Sequence, residues 1–116
     1  MPLTSSDSEY AQIVHVEDSR LDASIAIQFK EDFRSLTAGG GDVILEMSQV
    51  EFLDSSGLGS IVAVFKGLGP DRTMALAGLQ PAVEKVMALT RMNTVFAIFP
   101  TLEDALAAAA APHAAE

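Results

Sequence analysis

Apolar positions along this chain alternate between short strand-like runs and helical stripes, and that alternation sets the fold class before any motif is considered. Residues 10–16 are rich in β-branched side chains and predict a strand. Ile25, Phe29, Phe33 and Leu36 then recur at helical spacing behind Asp22 and Ser24, either of which can cap the helix. Gly39, Gly40 and Gly41 end it. Residues 43–47 form an apolar run broken only by Glu46, the pattern of a strand covered on much of both faces. A second helix is predicted just after Asp54, then a strand over 73–77, a helix over 81–89, a strand over 95–99 and a last helix from Thr101. The order βαβαβαβα predicts an α/β fold, a mixed or mostly parallel sheet of about four to five strands with about four packed helices.

Within the second helix Leu58, Ile61, Val62, Phe65 and Leu68 share one face, predicted to be core, while Gly59, Ser60, Ala63, Lys66 and Gly67 share the other. The second face is small and nearly uncharged, so another protein's backbone could approach it closely. Together with Leu58 at its margin it is read as a docking surface, although small residues also occur on ordinary exposed helices. Phe29, Phe33 and Leu36 could be imagined as a ligand box; at this spacing they read as core.

Composition narrows the function classes. The 116 residues, 49% apolar, suit one domain over 1–116 with a core large enough to fold alone. Residues 1–9 are polar and acidic, without the basic start or apolar run of a secretion signal, and are expected to be flexible. Residues from about 111 to 116 are expected to fray, because Pro112 and the lack of large side chains leave them little to bury. A net charge of −9 repels phosphate backbones and anionic membrane surfaces, which argues against direct nucleic-acid binding. No apolar stretch approaches the roughly 20 residues of a membrane span, so no membrane insertion and a cytoplasmic location are expected. With no cysteine there are neither disulfides nor thiolate sites.

The chemistry concentrates at Asp54-Ser55-Ser56-Gly57, where a strand runs into the second helix and several backbone N–H groups lack helical partners. One of these side chains should cap the helix. A phosphate on Ser55 would face the positive end of the helix dipole. Taken alone, the tetrapeptide reads better as a plain N-cap cluster than as a modification site. Other chemistries lack their parts. His15 and His113 form neither a metal site nor a triad, so no metal or cofactor is expected. Leu53 stands where a Gly-x-Ser-x-Gly nucleophile elbow needs its first glycine, and the glycine triplet is not followed by Gly-Lys-Ser/Thr.

Leu45-Glu46-Met47-Ser48 followed by Phe52-Leu53-Asp54-Ser55-Ser56-Gly57-Leu58 resembles the signature of the STAS-domain anti-sigma factor antagonists. Arg20-Leu21-Asp22-Ala23-Ser24, Leu79-Gln80-Pro81-Ala82-Val83 and residues 99–106 look like the family's other landmarks, so most of the chain is covered. Two departures stand out. Ser19 replaces a usual glycine, with a strand one residue out of phase that suggests a bulge, and Thr90-Arg91-Met92-Asn93 lacks a helix-ending glycine that Asn93 could replace. The resemblance implies a single STAS domain without enzymatic activity. In its unphosphorylated form such a protein binds an anti-sigma factor of the kinase-type ATPase fold and releases a sigma factor. That kinase phosphorylates the first serine after the aspartate, here Ser55, and a serine phosphatase reverses it. Asp54, Ser56 and Gly57 would support the switch loop. Lys66, roughly 15 Å along the helix from its start, would make a salt contact with the partner rather than hold the phosphate. Two alternatives stay open: a STAS subunit of an ABC-type lipid or solute transporter that binds its ATPase at the same helix, and a small-ligand sensor or enzyme on an α/β sheet.

Overall fold

The computed structural model describes residues 3–111. Five strands, β1 (Leu3–Asp7), β2 (Gln12–Val16), β4 (Val43–Glu46), β6 (Met74–Ala77) and β7 (Ala97–Phe99), form one sheet in the order β1-β2-β4-β6-β7. β1 is antiparallel to β2; the other neighbours are parallel. A second, two-stranded parallel sheet joins β3 (Arg20–Leu21) to β5 (Phe52–Leu53). Four helices complete the fold, α1 (Ala26–Leu36), α2 (Ser55–Leu68), α3 (Pro81–Leu89) and α4 (Leu102–Ala110). The α/β expectation therefore holds, as a mixed sheet with four helices.

Period-two alternation divides the core between the two faces of the sheet. Val14, Val43, Leu45, Met74 and Leu76 pack on one side with Phe29 and Phe33 of α1, Ile61 and Val64 of α2, and Val83 and Met87 of α3. Ile44 and Ala77 point to the other side, where Ala105 of α4 covers them. The β4 run is apolar on both faces because helices lie on both.

Residues 3–7 are not a loose lead. They form the edge strand β1, of which only Leu3 is buried, so no apolar alternation marks it. Backbone pairing to β2 from Leu3↔Val16 to Asp7↔Gln12 makes the strand. A turn joins the two strands, in which the Ser8 hydroxyl donates to the Ala11 carbonyl at 2.7 Å and accepts from its N–H at 3.1 Å. Tyr10 lies in that turn and is half exposed, so the first predicted strand begins two residues later than its β-branched pattern implies. The expected tail at 112–116 lies outside the described residues.

Two further details correct the sequence reading. The register of β2 runs unbroken against both neighbours, so Gln12–Val16 carries no bulge; the chain leaves the main sheet after Val16 to build β3. At the end of α3, Arg91 rather than Asn93 takes the left-handed conformation, at φ 60°, and Asn93 sits in a short 3-10 turn, Met92–Thr94.

Candidate functional site

α2 starts where β5 ends, and Asp54 makes the junction. Its backbone is extended, with φ −100° and ψ −176°, and its Oδ1 accepts from the Gly57 N–H at 2.8 Å, capping the helix. Its Oδ2 accepts from the Ala23 N–H at 3.2 Å, in the turn that leads into α1. One carboxylate thus ties together the starts of two helices. Neither Asp22 nor Ser24 caps α1. Asp22 instead closes its own turn, its Oδ1 accepting from the Ser24 N–H at 3.0 Å and from the Ser24 hydroxyl at 2.5 Å. The Ser24 hydroxyl, and after it Arg20 through a 3.1 Å bond to Oδ2, hold the Asp22 carboxyl below the ordinary carboxylate range.

Gly57 answers to a close approach. A Cβ at this position would collide with the Leu21 carbonyl oxygen and stand 2.7 Å from the Leu21 carbonyl carbon and 2.9 Å from Leu53 Cδ1. The helix start is therefore pressed onto β3 by a contact that only glycine allows. One turn on, the buried Ser60 hydroxyl donates to the Gly57 carbonyl at 2.6 Å.

On this anchored end Ser55 and Ser56 are exposed, as are Gly59, Lys66 and Gly67 farther along the helix. Leu58 and Ala63 are half-buried. Ser60 is the exception among the expected docking residues, because it is only 3% exposed and lies in the interior. The buried arc of α2 runs through Gly57, Ser60, Ile61 and Val64, so the core face is rotated relative to the stripe of large side chains. Phe65 is accordingly half-buried, its ring meeting Phe96 edge-on at 5.0 Å. α2 has no acidic side chain in its first turn, so Asp54 alone places negative charge against the positive end of the dipole.

With that geometry in view, the model of the family described as STAS domain matches residues 9–105. The chain belongs to the STAS domain family. A Thermotoga maritima protein named as an anti-sigma factor antagonist is 32% identical over 72 residues, 61% of this chain and 64% of that protein, so the match spans just under two thirds of the relative's length. An anti-sigma factor antagonist from Mycobacterium paratuberculosis superposes with a TM-score of 0.84 over 92% of each chain at 27% identity. A STAS domain protein from Planctomyces limnophilus, 22% identical, superposes at 0.86 over 94% of this chain and 98% of its own, and shares the fold.

Several features of this STAS domain around Asp54 escaped the sequence reading. Phe52 is 41% exposed, with the Arg20 guanidinium 4.2 Å above its ring, and Ile27 in the first turn of α1 is 68% exposed. The two-residue pairing of β3 with β5 turns Phe52 outward while Leu53 goes inward; neither strand is long enough to show a period. His15 is half-buried on the face of the sheet that carries α4, its Nδ1 3.5 Å from Glu46 Oε1 and its Nε2 3.4 Å from the Ser6 hydroxyl. Glu46 Oε2 accepts from the Ser48 N–H at 3.2 Å, and a Cβ on Gly78 would approach that oxygen to 2.8 Å. His15 and Glu46 thus brace the sheet away from α2. Among the described residues no helix is long and apolar enough to cross a membrane.

Proposed function

We propose that this protein is an anti-sigma factor antagonist. Its unphosphorylated form binds a kinase-type anti-sigma factor through the outer side of α2, freeing a sigma factor in the cytoplasm, and phosphorylation of Ser55 switches it off. The observation that carries the reading is the exposed Ser55 at the first position of a helix whose cap, Asp54, is already occupied on both carboxylate oxygens by backbone N–H groups. Asp54 therefore holds the backbone and leaves the Ser55 hydroxyl to an incoming kinase. Support also comes from the Thermotoga maritima and Mycobacterium paratuberculosis relatives, both of which carry the name anti-sigma factor antagonist.

In the switching step the kinase transfers the γ-phosphoryl of ATP to Ser55 Oγ; the O–P bond forms, ADP leaves and the hydroxyl proton is released. Ser55 is substrate, and the antagonist itself performs no catalysis. The phosphate adds roughly −1.5 to −2 charges and finds N–H donors at the helix start, so the modified fold stays intact. Those charges sit beside Asp54 and must be desolvated where α2 meets its partner. A tenfold loss of affinity needs only about 1.4 kcal/mol. A serine phosphatase restores binding.

The test is incubation of the wild type with the cognate anti-sigma factor and ATP, with peptide mapping of the phosphate and calorimetric titration of both forms. Phosphate is expected on Ser55 with weakened binding. Ser55→Ala should bind and resist modification. Modification confined to Ser56, or unchanged affinity after phosphorylation of Ser55, would refute the switch.

A further inference from the structure

α1 and α2 lie side by side on the sheet, and Arg34 of α1 and Gly67 of α2 line one crevice between them. Helical spacing places Lys30 and Ile27 one and two turns above Arg34 on the same flank, and Ala63 and Gly59 one and two turns above Gly67. By that spacing the line of the crevice extends between the two flanks, as a groove, towards the Asp54 end of both helices. One wall carries Ile27, Lys30 and Arg34; the other carries Gly59 and Ala63, with Lys66 alongside.

The charge of this groove opposes that of the chain. Acidic residues outnumber Lys and Arg by 16 to 7, yet four of those seven cations stand in or beside it: Lys30, Arg34, Lys66 and, at the lower end, Arg72, whose guanidinium is already engaged by the Gly41 and Thr37 carbonyls. α2 has no acidic side chain along its whole length. On α1, Asp32 is buried on the opposite flank, where its Oδ1 accepts from Gln28 Nε2 at 2.8 Å; the exposed Glu31, one turn on from Ile27, borders the groove but lies outside ion-pair distance of Lys30 and Arg34. Among the described residues, Lys30, Arg34 and Lys66 have no carboxylate within ion-pair distance; the two pairs present are His15–Glu46 and Arg20–Asp22. Arg34 and Lys66 stand in the last turns of their helices, where a cation complements the dipole. That role does not account for Lys30 in the helix interior or for an isoleucine 68% exposed beside it.

We propose that the docking surface crosses this groove onto α1 and receives an acidic segment of the partner protein, with carboxylates opposite Lys30, Arg34 and Lys66 and an apolar side chain against Ile27. The proposal rests on the α2 docking reading above and adds the chemistry of the partner. A protein segment feels mainly the local cations within a Debye length of about 8 Å, whereas an extended polyphosphate would also meet the acidic remainder of the surface. Complementary charges at such a rim speed association and make the affinity salt-dependent.

The test is calorimetric titration of the cognate anti-sigma factor against three proteins: the wild type, a Lys30→Glu/Arg34→Glu variant, and a Lys85→Glu/Arg91→Glu variant that changes net charge equally on exposed positions away from the groove. At about 50 mM KCl the groove variant should bind roughly tenfold or more weakly, the remote variant within about threefold of wild type, and the deficit should shrink at about 500 mM. Should the double reversal unfold the protein, Lys30→Gln/Arg34→Gln carries the same expectation at smaller size. Groove and remote variants that bind alike, or a deficit indifferent to salt, would overturn the acidic-partner proposal and leave α2 docking standing. A wild type that fails to bind would remove the α2 reading itself, and this one with it.

Discussion

Gly57→Ala and Gly59→Ala are the same substitution two residues apart in one helix, and the structure gives them opposite signs. At Gly59 nothing lies within 4 Å of the position a methyl group would take, so alanine adds helix propensity and reduces unfolded-state freedom, a gain of about 0.5–1 kcal/mol. At Gly57 the same gain is opposed by a methyl driven into the Leu21 carbonyl group, 2.7 Å from its carbon, and into Leu53 Cδ1 at 2.9 Å. The carbonyl is backbone of β3, held by pairing to β5, and cannot swing aside as a side chain would. Relief requires the start of α2 to lift, which stretches the Asp54 bond to the Ala23 N–H. Overpacking of this kind costs about 1–3 kcal/mol and more against rigid neighbours. Taking about 3 kcal/mol against a propensity gain of about 1 leaves Gly57→Ala destabilised by about 2 kcal/mol. Urea denaturation of the two variants beside wild type reads this directly. The expected midpoints move in opposite directions. A Gly57→Ala midpoint at or above wild type would refute the close approach as the reason for this glycine, and with it the anchoring of the start of α2 on β3.

Two further outcomes follow from the geometry. Phe65→Ala should cost about 2 kcal/mol by urea denaturation, below the roughly 3–5 kcal/mol of a fully buried phenylalanine, because the ring is half-buried against Phe96; a loss of about 3 kcal/mol or more would place it in the core interior. Asp22 has a folded-state pKa depressed below 3.8, so the stability of its turn is present above that value and is lost as pH falls through the folded one; NMR titration should show the Ser24 amide shifting with a midpoint below 3.8, and a midpoint at 3.8 or higher would contradict the bonds described.

Much of this architecture was legible from periodicity. Phe29 and Phe33 recur at helical spacing, and both are buried; the two-sided apolar run from Val43 marks the central strand. One of Asp54, Ser55 and Ser56 was expected to cap the second helix, and Asp54 does. What pattern missed was structure made by pairing rather than by side-chain burial. β1 has one buried residue in five, and β3 and β5 have two residues each, too few for any period to register.

Fold class and family could be read from residue order, because they depend on spacing and on local chemistry at a helix start. Which side of α2 is inside could not; that was settled by the packing of distant segments. Large side chains at Leu58, Val62 and Phe65 suggested one stripe, but the helix is pressed against β3 through Gly57 and beside α1, so the small residues Gly57 and Ser60 are buried and the phenylalanine is left half-covered. A helical wheel ranks residues by hydrophobicity, whereas burial follows where neighbouring backbones can approach, and the closest approach goes to the side chains that leave room for it.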